Sequence, residues 1–420
     1  MILDFVKYLS EQEIAYKFTN GYNEIFEKKQ SDSDFDILFK KSDFSRIDII
    51  IKDFCFQYNF KQVQVYDQDL WAKNFFVYDE IQNEFLNLDL YGEISRRQIK
   101  ILNETDVFHE DVTFRDVSIL SPQLEFIQYF IKKLDKNQLS KDTYNYLLKL
   151  YSKEVDGCNI QIRKFFRSTS DKVIHAFESN DFEFLSEKTN SIISEFKLMP
   201  KNASSSRYKT LNRLIKRIIK PTGITIAFLG PDGSGKSTVI DKLKQQHLPY
   251  RKNTYFHLKP IYKDSTAKNI VISNPHELPL YSFLKSYVKI IYFLIQYNFY
   301  WIKNVLPLKI RSSLVIFDRY YEDLLVDNKR YRFGGNIKIA TYLRSLLFKP
   351  EIYFVLIADA QIIHNRKKEV SLDELETQLL KYRKLSELRQ FHLINVNRPP
   401  DDIVKEITTI MMKYMNKRYK

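Results

Sequence analysis

The sequence predicts an α/β protein of at least two domains, with its second half organised around buried parallel strands. Three observations support this. The apolar run Ile224-Thr-Ile-Ala-Phe-Leu229 feeds directly into Gly230-Pro-Asp-Gly-Ser-Gly-Lys-Ser-Thr238. Two further runs, 312–318 and 350–359, are almost continuously apolar and end in aspartate. Strands buried on both faces look like this when their carboxyl ends carry a site. The length, 420 residues, also exceeds what one hydrophobic core ordinarily serves.

Composition narrows the classes. With 44% hydrophobic and 15% aromatic residues the chain can fill real cores, which excludes global disorder. The formal net charge of +14 points to an anionic partner, and nucleotides, phosphorylated glycans, anionic lipid surfaces and nucleic acids all qualify. Cys55 and Cys158 have no paired spacing, so neither a disulfide framework nor a cysteine metal site is expected. Met1-Ile-Leu-Asp-Phe-Val-Lys7 lacks the pattern of a secretory signal, and a cytoplasmic location is the expectation.

In the first half, Ser31-Asp-Ser-Asp-Phe-Asp-Ile-Leu-Phe39 places Asp34 and Asp36 two apart at the start of a strand pattern. Side chains two apart on a strand share a face, so both carboxylates are placed to reach one divalent metal. Asp89, in the strand-like run Phe85–Tyr91, is the candidate third ligand for a pair of Mg²⁺ sites. The competing reading makes Asp32, Asp34 and Asp36 a solvated edge that discourages strand pairing.

Residues 200–223 read as a boundary, with turn formers at both ends. Between them, Leu211, Leu214, Ile215, Ile218 and Ile219 recur at helical spacing among Lys209, Arg213, Lys216, Arg217 and Lys220. This is either an interdomain helix packed through its apolar stripe or a basic helix that lies on an anionic membrane. The aromatic segment 281–303 is interrupted by Lys285, Lys289, Gln296 and Asn298. It makes a poor membrane span and reads as a largely buried helix.

The string G-x-x-x-x-G-K-S-T between a strand and a helix is a phosphate-binding loop. Gly230, Asp232, Gly233, Ser234, Gly235, Lys236, Ser237 and Thr238 form the expected nucleotide cradle. Its backbone N–H groups and the following helix N-terminus face a polyphosphate, Lys236 reaches the β and γ phosphates, and Ser237 holds Mg²⁺. At the end of the next run, Asp318 is placed to organise Mg²⁺ and Arg319 to bind a phosphoryl oxygen through its planar fork. A surface ion pair is the plainer alternative for these two residues.

The loop, the Asp318-Arg319-Tyr320 motif and the tail Leu393–Ile407 together resemble the thymidylate kinase family over about residues 222–420. The resemblance implies a doubly wound parallel-sheet P-loop kinase using ATP and Mg²⁺. It puts Asp232 at the acceptor hydroxyl, Arg319 between donor and acceptor phosphates, and Arg366, Lys367 and Lys368 in a lid, where a solvated helix face is the alternative. The family's Arg-Glu-Pro-Gly-Gly-Thr-like segment is absent. In its place stand Tyr255–Pro260, Asn274–Pro279 and Asp327–Gly335, an arrangement similar to thymidylate-kinase-like proteins found with bacterial surface-polysaccharide genes. The donor side therefore reads as retained and the acceptor side as rebuilt. Arg330 and Arg332 are candidates for holding an anionic acceptor, and His257 and His276 for acceptor contact or proton transfer.

Gly21, then Asp34-x-Asp36, then Asp89 resemble the polymerase-β-like nucleotidyltransferases over about residues 15–110. That implies an α+β core over 1–110 and a helical companion over 111–200. A linker helix at 201–221 and the kinase at 222–420 complete the organisation. Gly21-Tyr22 departs from the usual Gly-Ser or Gly-Gly turn.

The expected function is phosphoryl transfer to a small-molecule or glycan-linked acceptor in surface polysaccharide biosynthesis. The rivals are a true dTMP kinase, a nucleotidyltransferase with a regulatory ATP-binding domain, a membrane-associated binding module and a nucleic-acid enzyme. The dispersed positive charge disfavours the last. A homodimer is a further expectation, with segment 281–303 supplying the surface.

Overall fold

The computed structural model describes residues 1–26, 34–201, 207–262, 278–367 and 370–419. The chain divides into two compact units, Met1–Arg213 with Met415–Lys420, and Leu214–Tyr414.

The first unit is built on a mixed sheet of β1 (Tyr16–Asn20), β2 (Asp34–Phe39), β3 (Lys61–Asp69), β4 (Ala72–Asp79) and β5 (Glu84–Tyr91). The spatial order is β1-β2-β5-β4-β3, with β2 and β5 parallel and the other pairs antiparallel. Strict alternation in β5 sends Leu86, Leu88 and Leu90 to one face and Asn87, Asp89 and Tyr91 to the other. The apolar face joins Phe35, Ile37, Phe75 and Val77 in a core closed by the helices Ile2–Glu11 and Ile47–Gln57. A second core belongs to a helical group that begins at Pro122–Asp135 and ends at Thr189–Lys197. There Phe126, Phe130, Tyr151 and Phe177 pack ring on ring. Pro122 opens the first of these helices, where its missing N–H costs nothing.

The second unit is a parallel sheet of β6 (Ile224–Leu229), β7 (Asn253–His257), β8 (Leu314–Asp318), β9 (Ile352–Ile357) and β10 (Phe391–Asn395). Its order is β7-β8-β6-β9-β10. Every residue of β6, β8 and β9 is buried, which is why these strands read as unbroken apolar runs. The chain leaves the central β6 toward one edge and later crosses to the other. In parallel sheets of this order crossovers are right-handed as a rule, helices cover both faces, and ligands bind in the crevice where the strand order reverses, here at the carboxyl end of β6.

Two expectations change here. The aromatic segment forms the helix Phe283–Tyr300 and a π turn over Trp301–Val305, but only one face is buried. Ile290, Phe293, Leu294, Tyr297 and Trp301 face inward, with Trp301 stacked on Phe317 and Tyr297 edge-on to Tyr320. The opposite apolar face has no protein over it among the described residues. The boundary helix Arg207–Ile219 likewise keeps Leu211, Leu214, Ile215, Ile218 and Ile219 exposed rather than packed.

Candidate functional site

At the end of β6 the chain turns through Gly230, whose φ of +139° lies outside the range of L residues. A Cβ there would stand 2.5 Å from the Leu356 carbonyl oxygen of β9. The loop closes at Gly235 with φ of +81°, at the N-cap of the helix Lys236–Gln245. A Cβ at Gly235 would meet nothing within 4 Å, so the mouth of the loop is open where the helix presents its unpaired N–H groups.

Lys236 folds back over this loop. Its Nζ donates to the carbonyl oxygens of Gly230 and Pro231, both at 2.8 Å, and lies 3.5 Å from Ser234 Oγ. Burial, and next the charge of Arg319, bring its pKa down to about 8. Ser234 is buried with it, while Ser237 and Thr238 are exposed on the first helical turn.

Parallel register brings Asp318 level with Phe228 of β6 and His257 of β7. Tyr255 Oη donates to Asp318 Oδ2 at 3.0 Å, and Asp318 Oδ1 is buried with no partner among the described residues. An orphaned buried carboxylate oxygen beside a phosphate loop suits a hard divalent cation, so Asp318 fits the Mg²⁺ role. Ser237 offers an exposed hydroxyl on the loop helix.

Arg319 is a left-handed residue, φ +72°, pinned by its N–H to Phe228 O at 2.9 Å. A bulky residue persists in that region only when its surroundings force it, and here the strain aims the side chain. Its guanidinium pairs with Asp232 inside the loop and with Asp323 at 3.2 Å. Asp323 is fully buried and also accepts from Tyr382 Oη at 2.5 Å. Arg330 pairs with the other oxygen of Asp232, its own N–H held by Asp327 Oδ1 at 3.1 Å. Loop, β8 end and the 327–335 turn thus converge on one carboxylate between two guanidinium groups.

The other sequence candidates divide. His257 is exposed at the end of β7, next to Asp318 in register. Arg332 points elsewhere: its Nε donates to Pro279 O at 2.8 Å and its guanidinium lies over the Tyr281 ring at 4.3 Å. There it borders a small, mostly apolar hollow that includes Lys289, Phe293 and Tyr331. Arg366 is exposed at the end of the helix Ala360–Arg366. That helix meets the loop through Ile363 and Lys367, whose backbone oxygen and Cβ stand 3.0 and 3.2 Å from a Cβ built on Gly233. His276 and Lys368 lie outside the described residues.

In the first unit, Asp36 and Asp89 are direct register partners on β2 and β5, and Asp34 is level with Asn87. The predicted shared face is present, but the three carboxylates do not form a metal cage. Among the described residues no group of three or more acidic, His or Cys side chains is set to hold a metal ion. Asp34 accepts from Asn87. Asp36 takes Tyr91 Oη at 2.9 Å and Lys132 Nζ at 3.3 Å, and Asp89 takes Asn74 Nδ2 at 2.6 Å. Lys132 supplies a cation beside Asp36 on this carboxylate face. Burial, then the Asp36 charge, push Asp89 up to about 6. Gly21 makes its turn at φ +78°, where a Cβ would stand 2.8 Å from Asp34 O.

No family model matches the chain, and no curated protein matches it. Among solved structures it is similar to thymidylate kinase from Candida albicans. The identity is 17% over 46% of this chain and 93% of that one, with a TM-score of 0.35. It is also similar to thymidylate kinase from Ehrlichia chaffeensis, at 16% identity over 45% of this chain and 98% of that one, with a TM-score of 0.31.

Sequence reasoning missed Tyr255, Asp323, Tyr331 and Tyr382. Two had a readable signal: Asp323 lies one helical turn after Arg319, and Tyr255 lies two before His257 on one strand face. Tyr331, whose buried hydroxyl has no hydrogen-bond partner among the described residues, lies beside Arg330, and Tyr382 comes from a distant segment.

Proposed function

We propose that the second unit is an ATP- and Mg²⁺-dependent phosphotransferase acting on a small-molecule or glycan-linked acceptor, in the chemistry of surface polysaccharide assembly. The observation that carries this reading is the joining of the loop to the β8 end through Asp232 and Arg319. A nucleotide-binding module alone has no use for an acid held there.

Polyphosphate binds in the open mouth at Gly235, and Lys236 exchanges two carbonyl partners for phosphate oxygens. Asp318 and Ser237 would hold Mg²⁺, which neutralises charge on the β and γ phosphates when bound. Arg319 and Arg330 draw negative charge to the point where the γ-phosphoryl group leaves ADP and bonds to an acceptor oxygen. Asp232 orients the acceptor hydroxyl and accepts its proton. Tyr255 and Asp323 hold Asp318 and Arg319 in place, so most of the rate comes from positioning and charge.

The test is Mg²⁺-dependent ATP consumption against nucleoside monophosphates, sugars, polyols and phosphorylated glycans, with Lys236→Ala alongside. Full turnover by Lys236→Ala would refute the assignment, and turnover confined to dTMP would make the chain a nucleoside monophosphate kinase.

A second reading concerns the first unit, where Asp36 beside Asp89 favours a nucleotidyltransferase-like arrangement. The engaged carboxylates and Lys132 favour a version that binds a nucleotide or sugar phosphate without metal-dependent transfer. Nucleotidyl transfer lost in Asp34→Ala/Asp36→Ala would overturn that version.

A further inference from the structure

The helix Phe283–Tyr300 and the turn after it carry apolar residues on two opposite faces, yet are packed on one. Leu284, Val288, Ile291, Ile295, Phe299 and Ile302 recur every three or four residues along the outer face, each 51–75% exposed. An apolar helix face is normally covered. The apolar surface continues onto the next helical segment. Asn298 donates to Leu346 O at 2.9 Å and accepts from Phe348 N at 3.1 Å, which sets the exposed Leu346 beside the stripe. Tyr342, 75% exposed, belongs to the same segment.

The two stretches of chain that carry this surface are rich in cations and poor in acids, although Lys309 at the end of the first pairs with Glu351. From Leu278 to Phe317 the chain has no Asp or Glu, against Lys285, Lys289, Lys303, Lys309 and Arg311. From Asn328 to Pro350 it again has none. Lys285 borders the stripe by helical spacing, and Lys303, in the turn after the helix, has its Nζ over the Phe299 ring of the stripe at 6.0 Å.

We infer that this face docks on an anionic lipid surface. An apolar stripe edged by Lys285 and Lys303, on a stretch of chain rich in cations, is the pattern of a helix lying in the plane of a bilayer. Lysine flanks reach the headgroups while the aliphatic residues enter the acyl boundary. Among the described residues no helix is long and apolar enough to cross a membrane, so the contact is peripheral. A second copy of the chain suits the face less well. A two-fold contact through the same patch would bring the Lys285 and Lys303 flanks of two copies together. The inference does not depend on the phosphotransferase reading.

The test is co-sedimentation of the full chain with phosphatidylcholine vesicles, with or without about 30 mol% phosphatidylglycerol. Wild type, Ile291→Ser/Ile295→Ser and Lys303→Glu are compared, with light scattering for oligomeric state. All three positions are exposed, and matching melting curves check that the fold is retained. Expected is binding to the anionic vesicles that falls about tenfold on neutral ones, and about tenfold in the double-serine variant. Three results would overturn the inference. One is no binding to anionic vesicles. Another is undiminished binding by the double-serine variant, which would assign adsorption to diffuse charge or to the basic helix Arg207–Ile219. The last is a wild-type dimer that the double-serine change dissolves while vesicle binding is absent.

Discussion

Arg319 reaches back from the end of β8 to pair with Asp232 inside the phosphate loop, so the residue after one strand and the loop after its neighbour form one electrostatic unit. The second oxygen of Asp232 is taken by Arg330. On the phosphotransferase reading proposed above, an acceptor hydroxyl entering between these cations would meet a carboxylate already oriented. Asp232→Asn keeps the shape and removes the charge and the basicity. The expected result is a kcat loss of about 10²–10³-fold with little change in the KM for ATP. A KM effect alone would move Asp232 to the nucleotide side.

The two arginines differ in burial, which separates their roles. Removing Arg319 strands the fully buried Asp323, so Arg319→Ala is expected to cost about 3 kcal/mol in stability as well as activity. The Arg330 side chain is 26% exposed, so Arg330→Ala is expected to cost less than about 1 kcal/mol while raising the acceptor KM. Urea titration of both variants beside steady-state kinetics checks the contrast. Equal stability losses would contradict it.

Lys236 gives the site a pH dependence of known sign. With a folded pKa of about 8, the ammonium is charged at neutral pH and loses its proton as pH rises through that value. The unfolded chain holds this proton to higher pH, so deprotonation favours the folded state between about pH 8 and 10. Phosphate binding favours the charged form, so ATP affinity is expected to fall above about pH 8 and binding to take up protons there. Calorimetry at pH 8.5 in buffers of different ionisation enthalpy reads that uptake directly. It should vanish in Lys236→Ala, and uptake unchanged in that variant would assign it elsewhere.

How much of this was legible follows from what each element faces. β6, β8 and β9 are buried on both sides, so continuous apolar runs betrayed them. The edge strand β7 alternates Thr254 and Phe256 inward with Tyr255 and His257 outward, and its five residues barely register as a strand. The loop residues were readable because phosphate chemistry restricts both type and spacing. Asp323 was readable only as a spacing of four from Arg319; that Tyr382 joins it in a buried pair emerges only in the folded chain. The helix Phe283–Tyr300 shows a different limit: its pattern is apolar on more than one face, and only packing says which face finds a protein neighbour. In the first unit, two-residue spacing placed the carboxylates on one face, but nothing local announced that Lys132, from a helix far along the chain, would come to Asp36.

The loop glycines differ in what they demand. Gly230→Ala places a methyl 2.5 Å from a backbone oxygen of the adjacent strand, which has no room to yield. It is expected to cost about 2–4 kcal/mol and abolish ATP binding. Gly235→Ala meets no atom and suffers only the left-handed backbone, about 1 kcal/mol, so a folded protein with weakened nucleotide affinity is expected. Thermal melting with and without ATP distinguishes the two, and a fully stable Gly230→Ala protein would mean that the loop and β9 are not in that contact.

Asp89 offers a test of the first unit that needs no substrate. Its pKa rises from an unfolded value near 3.8 to about 6, chiefly through burial and then through Asp36 opposite it. A carboxyl raised on folding contributes stability below its unfolded pKa and loses it as pH climbs through the folded one, so at pH 8 its charge is a cost. Asp89→Asn removes that charge and keeps an oxygen to accept from Asn74 Nδ2. The variant is expected to be more stable than wild type by about 1–3 kcal/mol at pH 8, with the advantage shrinking between pH 6 and 4. Taking the difference between the two proteins at each pH cancels the titration of groups remote from this face. A variant less stable than wild type at pH 8 would show that the Asp89 charge is compensated, and a cation bound between Asp36 and Asp89 would then become the better account of this face.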